Sequence, residues 1–177
     1  MRERTAARER RRDEEFESFV AGAAGRLLHA AVLLTAEPTG DSPRAQRLLL
    51  AALSRTYARW DRLRGDDPYE HTRQELAAHF AHSAWRHHRP QLPGRPGRTA
   101  GAGRPSNPAG GGVLGRLTPQ ERLIVVLRLY EGIAEEQVAA AVGLPAERVR
   151  AICGHATATL RSAPPEAAPR RPEVATP

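Results

Sequence analysis

An all-α fold is what this 177-residue chain predicts, and three observations carry the prediction. Apolar residues recur at spacings of three and four over several stretches, the mark of a helix with one buried stripe. No useful length alternates apolar and polar residues with a period of two, as a half-buried strand would. Pro opens several of the stretches and Gly closes them, which is the usual punctuation of helices.

The stretches follow in order. Residues 1–14 hold mixed charge and no apolar period, and they read as an N-terminal arm. From Glu15 onward Phe16, Phe19, Val20, Ala23, Leu27, Ala31 and Leu34 form one stripe, ended by Pro38, Gly40 and Pro43. A second stripe uses Leu49, Leu53, Thr56, Tyr57 and Trp60 and closes near Gly65. Asp66-Asp67-Pro68 opens a third helix, marked by Tyr69, Leu76, Phe80 and Ala84. Of the 26 positions from 90 to 115, 13 are Gly or Pro, a composition that buries too little surface to offset its ordering entropy. Order is expected again at Leu117, with Pro119 at a helix start and Gly132 at its stop. A short helix over Glu135–Val142 ends at Gly143, and a last one runs from Pro145-Ala146-Glu147 to about Arg161. Residues 163–177 contain five Pro and no pattern, and read as a disordered tail.

The expected organisation is therefore two small helical domains, 15–89 and 116–162, joined by a Pro/Gly-rich linker, 90–115. Composition narrows the function. The chain carries 27 Arg and no Lys against 20 Asp and Glu, a formal charge of +7, which suits a polyanionic partner. It is too short for a catalytic barrel of roughly 250 residues. One cysteine, Cys153, excludes an internal disulfide and fits a reduced compartment. Residues 2–12 are Arg-rich and precede an apolar stretch, as in a signal peptide. Asp13, Glu14, Glu15 and Glu17 at the junction, with Arg26 and His29 inside the stretch, argue against that reading. No apolar run reaches the ~18 residues of a bilayer span. A cytoplasmic protein without membrane contact is expected.

The 117–161 block is the most informative. Only Gly143-Leu144-Pro145 separates its last two helices, a spacing that fits a helix-turn-helix with Val138 and Val142 meeting Val149 and Ile152. Arg148, Arg150, Thr157 and Arg161 remain on the other side of the last helix. An ordinary helical hairpin with solvated arginines has the same spacing.

The segment LTPQERLIVVLRLYEGIAEEQVAAAVGLPAERVRAICGHATATLR resembles region 4 of the extracytoplasmic-function (ECF) sigma factors of bacterial RNA polymerase. The Leu-x-Pro-x-x-Arg opening matches Leu117, Pro119 and Arg122. The Arg-x-Tyr-Glu-Gly end matches Arg128 to Gly132, and the Val-Gly-Leu turn matches Val142 to Leu144. The first block is similar to region 2 of the same family, through FESFVAGAAGRLLHAAVLLTA, ALSRTYARWDRLR and DPYEHTRQELAAHFAHSAWRHH.

That resemblance implies a non-enzymatic transcription initiation factor whose partners are core RNA polymerase, promoter DNA and an anti-sigma factor. Region 4 would read the −35 element through Arg148, Arg150, His155, Thr157 and Arg161. Region 2 would meet the −10 element through Arg73, Gln74, Trp85 and Arg86, and polymerase through Leu48, Leu49, Leu53, Tyr57 and Trp60. Trp85 suits stacking on an unpaired base and equally suits core packing at a helix end. Two departures stand out. Where the family carries an acidic and amide-bearing motif for polymerase, this chain has Arg47-Leu48-Leu49-Leu50-Ala51, a reversal of charge. Pro145-Ala146 also supplies no capping side chain before the last helix, worth about 1 kcal/mol. These departures keep two further readings open: a stand-alone helix-turn-helix regulator, and a protein-binding adaptor without sigma activity.

Other chemistry has less support. His71, Glu75, His79 and His82 lie at helical spacing, but four ligands do not converge, so no metal or cofactor is expected. The serines lack a Gly-x-Ser-x-Gly elbow. Gly110–Gly112 lacks the Lys and Ser/Thr of a phosphate loop.

Overall fold

Mixed charge at the N-terminus does not stay out of the fold. In the computed structural model, which describes residues 2–38, 40–63, 65–87 and 112–162, helix α1 runs without a break over Arg2–Thr35. The expected arm is thus the first turns of α1, and its partners explain why. Arg11 pairs with Glu15 one turn on, at 2.8 Å. Arg12 donates to the Tyr57 carbonyl at 3.0 Å and lies 4.1 Å from the centre of the Tyr57 ring. Tyr57 donates its hydroxyl to Asp13 at 2.5 Å. Phe16 then packs edge-on to Tyr57 and Trp60, with centroids 4.9 and 5.1 Å away.

Helix α2 follows over Pro43–Ala58, with a 3₁₀ turn at Trp60–Arg62, and α3 covers Pro68–His87. After a second 3₁₀ turn at Val113–Arg116, α4 spans Pro119–Val125 and continues as a π turn over Val126–Tyr130. Helices α5, Glu135–Val142, and α6, Ala146–Arg161, complete the described chain, in which there is no strand. The 3₁₀ turn at Val113–Arg116 lies at the edge of the expected linker, and the rest of 88–111 falls outside the described residues, as does the expected tail 163–177.

Local chemistry sets several boundaries. Thr118 and Glu121 form a capping box ahead of α4: the Thr118 hydroxyl accepts from the Glu121 amide, and Glu121 accepts from the Thr118 amide at 2.8 Å. Gly132 and Gly143 take φ of 70° and 71°, the left-handed conformation that stops a helix cleanly. At α2 the flanking Ser42 provides no side-chain cap. Glu37 does so instead, accepting from the amides of Ala45 at 2.7 Å and Arg44 at 3.1 Å.

Burial alone would raise the Glu37 pKa, but those amides, the Arg44 guanidinium and the Thr35 hydroxyl hold it below its ordinary value. A carboxylate with a depressed folded pKa adds stability above its unfolded pKa and loses it as pH falls through the folded one. Glu37→Gln is therefore expected to cost about 1 kcal/mol at neutral pH. Denaturant titrations should show the gap between variant and wild type closing as pH drops below the ordinary carboxylate range. A gap that stays constant with pH would mean that charge on Glu37 is immaterial.

One apolar cluster runs through both blocks. Leu27, Ala31, Leu34, Leu49 and Leu76 of the first belong to it together with Leu123, Ile124, Leu127, Val138 and Val149 of the second. By length and composition α1 is long and apolar enough to cross a membrane. Its Leu27, Ala30, Ala31 and Leu34 are buried, and all four belong to this cluster.

Candidate nucleic-acid interface

The turn between α5 and α6 is built from small parts that fix its angle. Gly143 reverses the chain, and the Leu144 amide bonds the Ala139 carbonyl at 3.0 Å. Val138 on α5 and Val149 on α6 are both fully buried in the same cluster. α6 also packs on α4, so its inner face, Val149 and Ala156 with half-buried Ile152 and Leu160, is covered from two sides. No side chain caps its N-terminus at Pro145.

The outer face follows from 100° per residue. Ala151, Gly154 and Ala158 are exposed along its middle, leaving it flat. Arg148 and His155 flank this strip on one side, Arg150 and Arg161 on the other, and all four are exposed. Arg150 lies against Glu135 of α5, with Nη2 at 2.9 Å and Nε at 3.2 Å from its two oxygens. His155 lies 3.8 Å from Glu121. Arg148 and Arg161 have no ion pair among the described residues. Thr157 is half-buried, and its hydroxyl bonds the Cys153 and Gly154 carbonyls, both at 2.9 Å. That hydroxyl is occupied within its own helix. Cys153 is a half-buried thiol whose pKa burial pushes up, which leaves it protonated and inert.

The first block's expected site residues are placed less uniformly. Arg73 and Gln74 sit on α3 beside a groove of about 660 Å³ that the second block closes with Leu127, Ile133, Val138 and Val142. Trp85 and Arg86 are on the last turn of α3, and their side chains fall outside the described residues. Among the expected polymerase contacts, Leu49 and Leu53 are turned inward as core, at 7% and 9% exposure. That is a correction: the α2 surface is offered instead by Arg47 and by Leu50, which is 63% exposed. Leu48 is half-buried, and Tyr57 and Trp60 are engaged with Phe16. Glu75 is occupied by Arg55 and Arg59, at 3.4 and 3.1 Å, and no group of three His, Cys, Asp or Glu among the described residues is arranged to hold a metal.

A paired-helix turn with its second helix basic, flat and outward defines a helix-turn-helix DNA-binding protein. The family model for Sigma-70, region 4 matches residues 113–162. Over 153 residues the chain is 31% identical to the RNA polymerase sigma-E factor of Streptomyces coelicolor, covering 83% of this chain and 84% of that protein. It is 30% identical to the RNA polymerase sigma-E factor of Streptomyces avermitilis, with 83% of each covered. The chain belongs to the RNA polymerase sigma factors, in the ECF branch, whose members give the polymerase promoter recognition at transcription initiation.

Proposed function

We propose that this protein binds core RNA polymerase and directs it to promoters, with α6 reading the −35 element in the major groove and α3 engaging the −10 element. It acts by binding, in the cytoplasm, and carries out no catalysis of its own. The observation that carries the reading is the outer face of α6, where four exposed basic groups border a strip of Ala151, Gly154 and Ala158. A strip without long side chains brings the helix close to the base edges, and the flanking guanidinium groups reach phosphate or guanine. The two free ones, Arg148 and Arg161, are ready for phosphate without breaking an ion pair.

Polymerase contact on this reading uses the exposed side of α2, Arg47 and Leu50. Arg47 is exposed where the family carries an acid, so the polymerase patch it meets differs in charge from that of a typical relative. The same residue supports the second reading, a DNA-binding regulator that works without polymerase. Co-purification with core polymerase, followed by run-off transcription, separates the two. DNA binding with no polymerase association favours the regulator; polymerase association without transcription favours an adaptor.

Replacing Arg148 and Arg161 together with alanine is expected to weaken duplex binding at low salt. The log–log salt slope should fall by about two units, close to one for each phosphate that is no longer neutralised. Fluorescence anisotropy across a salt series measures it, and an unchanged slope would put the DNA surface elsewhere.

A further inference from the structure

Arg150 differs from the other arginines of α6 in what stands behind it. Glu135, in the first turn of α5, has a side chain only 13% exposed, whereas that of Arg150 is 71% exposed. The guanidinium reaches back across the turn. Its Nε donates to Oε2 at 3.2 Å, and its Nη2 lies 2.9 Å from Oε1. Oε1 is shut off from solvent and accepts no hydrogen bond, so this ion pair is what offsets the cost of burying it. Arg148 and Arg161 are exposed and have no ion pair among the described residues. Glu136, the neighbour of Glu135, is likewise exposed and unpaired there.

A guanidinium carries its N–H donors in one plane, as a fixed fork. Glu135 stands against the side edge formed by Nε and Nη2. The end of the fork, Nη1 and the outer hydrogen of Nη2, is left facing away from the carboxylate. That end holds two parallel donors, the pair that fits the O6 and N7 acceptors of guanine in the major groove. Arg150 also lies in the first half of α6, and residues near the start of a recognition helix are those that reach base edges. An unheld arginine gives up rotamer freedom when it settles on a base, and one already fixed in a plane gives up less. Phosphate contacts carry no sequence information, so an unheld arginine serves there.

Resting on the reading of α6 as the −35 reader, we propose that Glu135 is a positioning residue for sequence recognition. It holds the Arg150 guanidinium side-on, so that the opposite donors select a guanine of the duplex, while Arg148 and Arg161 neutralise phosphates. Specificity and affinity then come from different arginines of one helix. A carboxylate beside a duplex adds nothing to phosphate attraction, since it carries the same sign of charge. What Glu135 contributes is discrimination between base pairs.

The test selects binding sequences from a pool of randomised duplexes. The full chain is used both alone and bound to core polymerase, as wild type, Glu135→Ala, Glu136→Ala and Arg150→Lys. Wild type should enrich guanine over adenine at one position by about 30-fold, midway in the range for one bidentate arginine–guanine pair. Glu135→Ala should cut that preference about tenfold, while the other positions, the affinity for the unselected pool and its salt slope hold. Arg150→Lys should lose the same guanine, and adding Glu135→Ala to it should change nothing further, since no fork is left to hold. Glu136→Ala removes an equal charge from the same turn of α5 and should enrich as wild type does. Circular dichroism confirms folding, and Glu135→Gln, which keeps the size of the side chain, replaces alanine if that variant does not fold. A guanine preference that survives the loss of Glu135 overturns the positioning role, as does an equal drop at every position. A wild-type pool that stays random, with and without polymerase, strikes the −35 reading of α6 itself, and the positioning role falls with it.

Discussion

Replacing Ile124 with alanine will cost about 2–5 kcal/mol of folding stability, the range for emptying a well-packed aliphatic site. Ile124 has no exposed surface and belongs to the cluster that contains Leu27 and Leu34 of α1 as well as Val138 and Val149 of the helix-turn-helix. The substitution takes packing away from the element on which α6 rests, since α4 and α6 lie directly against each other. Against a total of about 5–15 kcal/mol for an ordinary domain, this is a large share. DNA binding should fall with folding, and lowering the temperature should restore it in step with helicity. Guanidinium titration followed by both far-ultraviolet dichroism and tryptophan fluorescence gives the number. A cost under about 1 kcal/mol, below the range for an emptied site, would mean that α4 is free to shift and fill the space.

The residues that were legible in the sequence are those whose fate is decided locally. Gly143 and Pro145 mark the α5–α6 turn because a left-handed residue and a missing amide act within one turn of chain, wherever the rest of the protein lies. The inward face of α6 was readable for the same reason, through Val149, which is fully buried, and Ile152, which is half-buried. What a stripe faces is another matter. Spacing says that Leu27 and Leu34 are buried, yet nothing in it says that they share a core with Leu123 and Leu127. The run Leu48-Leu49-Leu50 puts apolar residues on every side of α2, so periodicity could not tell that Leu49 turns in and Leu50 out. Residues 2–14 carry no apolar period, and their helix depends on Tyr57, a partner 45 positions from Arg12. Glu131 was visible only as part of a family motif. Its burial depends on Arg26, Tyr69 and Arg73, three residues distant in sequence.

Arg122→Ala is expected to cost about 3 kcal/mol, set by the removal of two hydrogen bonds from a charged donor and partly offset by the removal of a buried charge. The side chain is 6% exposed. Its Nη1 donates to the Leu34 carbonyl at 2.9 Å and its Nη2 to the Leu117 carbonyl at 3.1 Å. Burial lowers its pKa, the Arg44 charge adds to that, and no carboxylate is paired with it among the described residues. The position makes sense of this cost. α1 runs for 34 residues and has no basic residue in its last turn, so the carbonyls at its C-terminus lack a cation of their own. Arg122 supplies it from α4, 88 positions away, and at the same time ties the entry of the second block to the end of α1. The Arg of the Leu-x-Pro-x-x-Arg opening therefore acts here as a helix cap between blocks. Arg122→Met retains most of the stem and should recover the packing but not the two bonds, leaving it between alanine and wild type. Arg122→Lys, with a point charge in place of a planar fork, should satisfy one carbonyl and recover only part of the deficit. Denaturant titrations of the three variants give the ranking, and methionine matching or exceeding wild type would show that dehydrating the guanidinium outweighs the two bonds it makes.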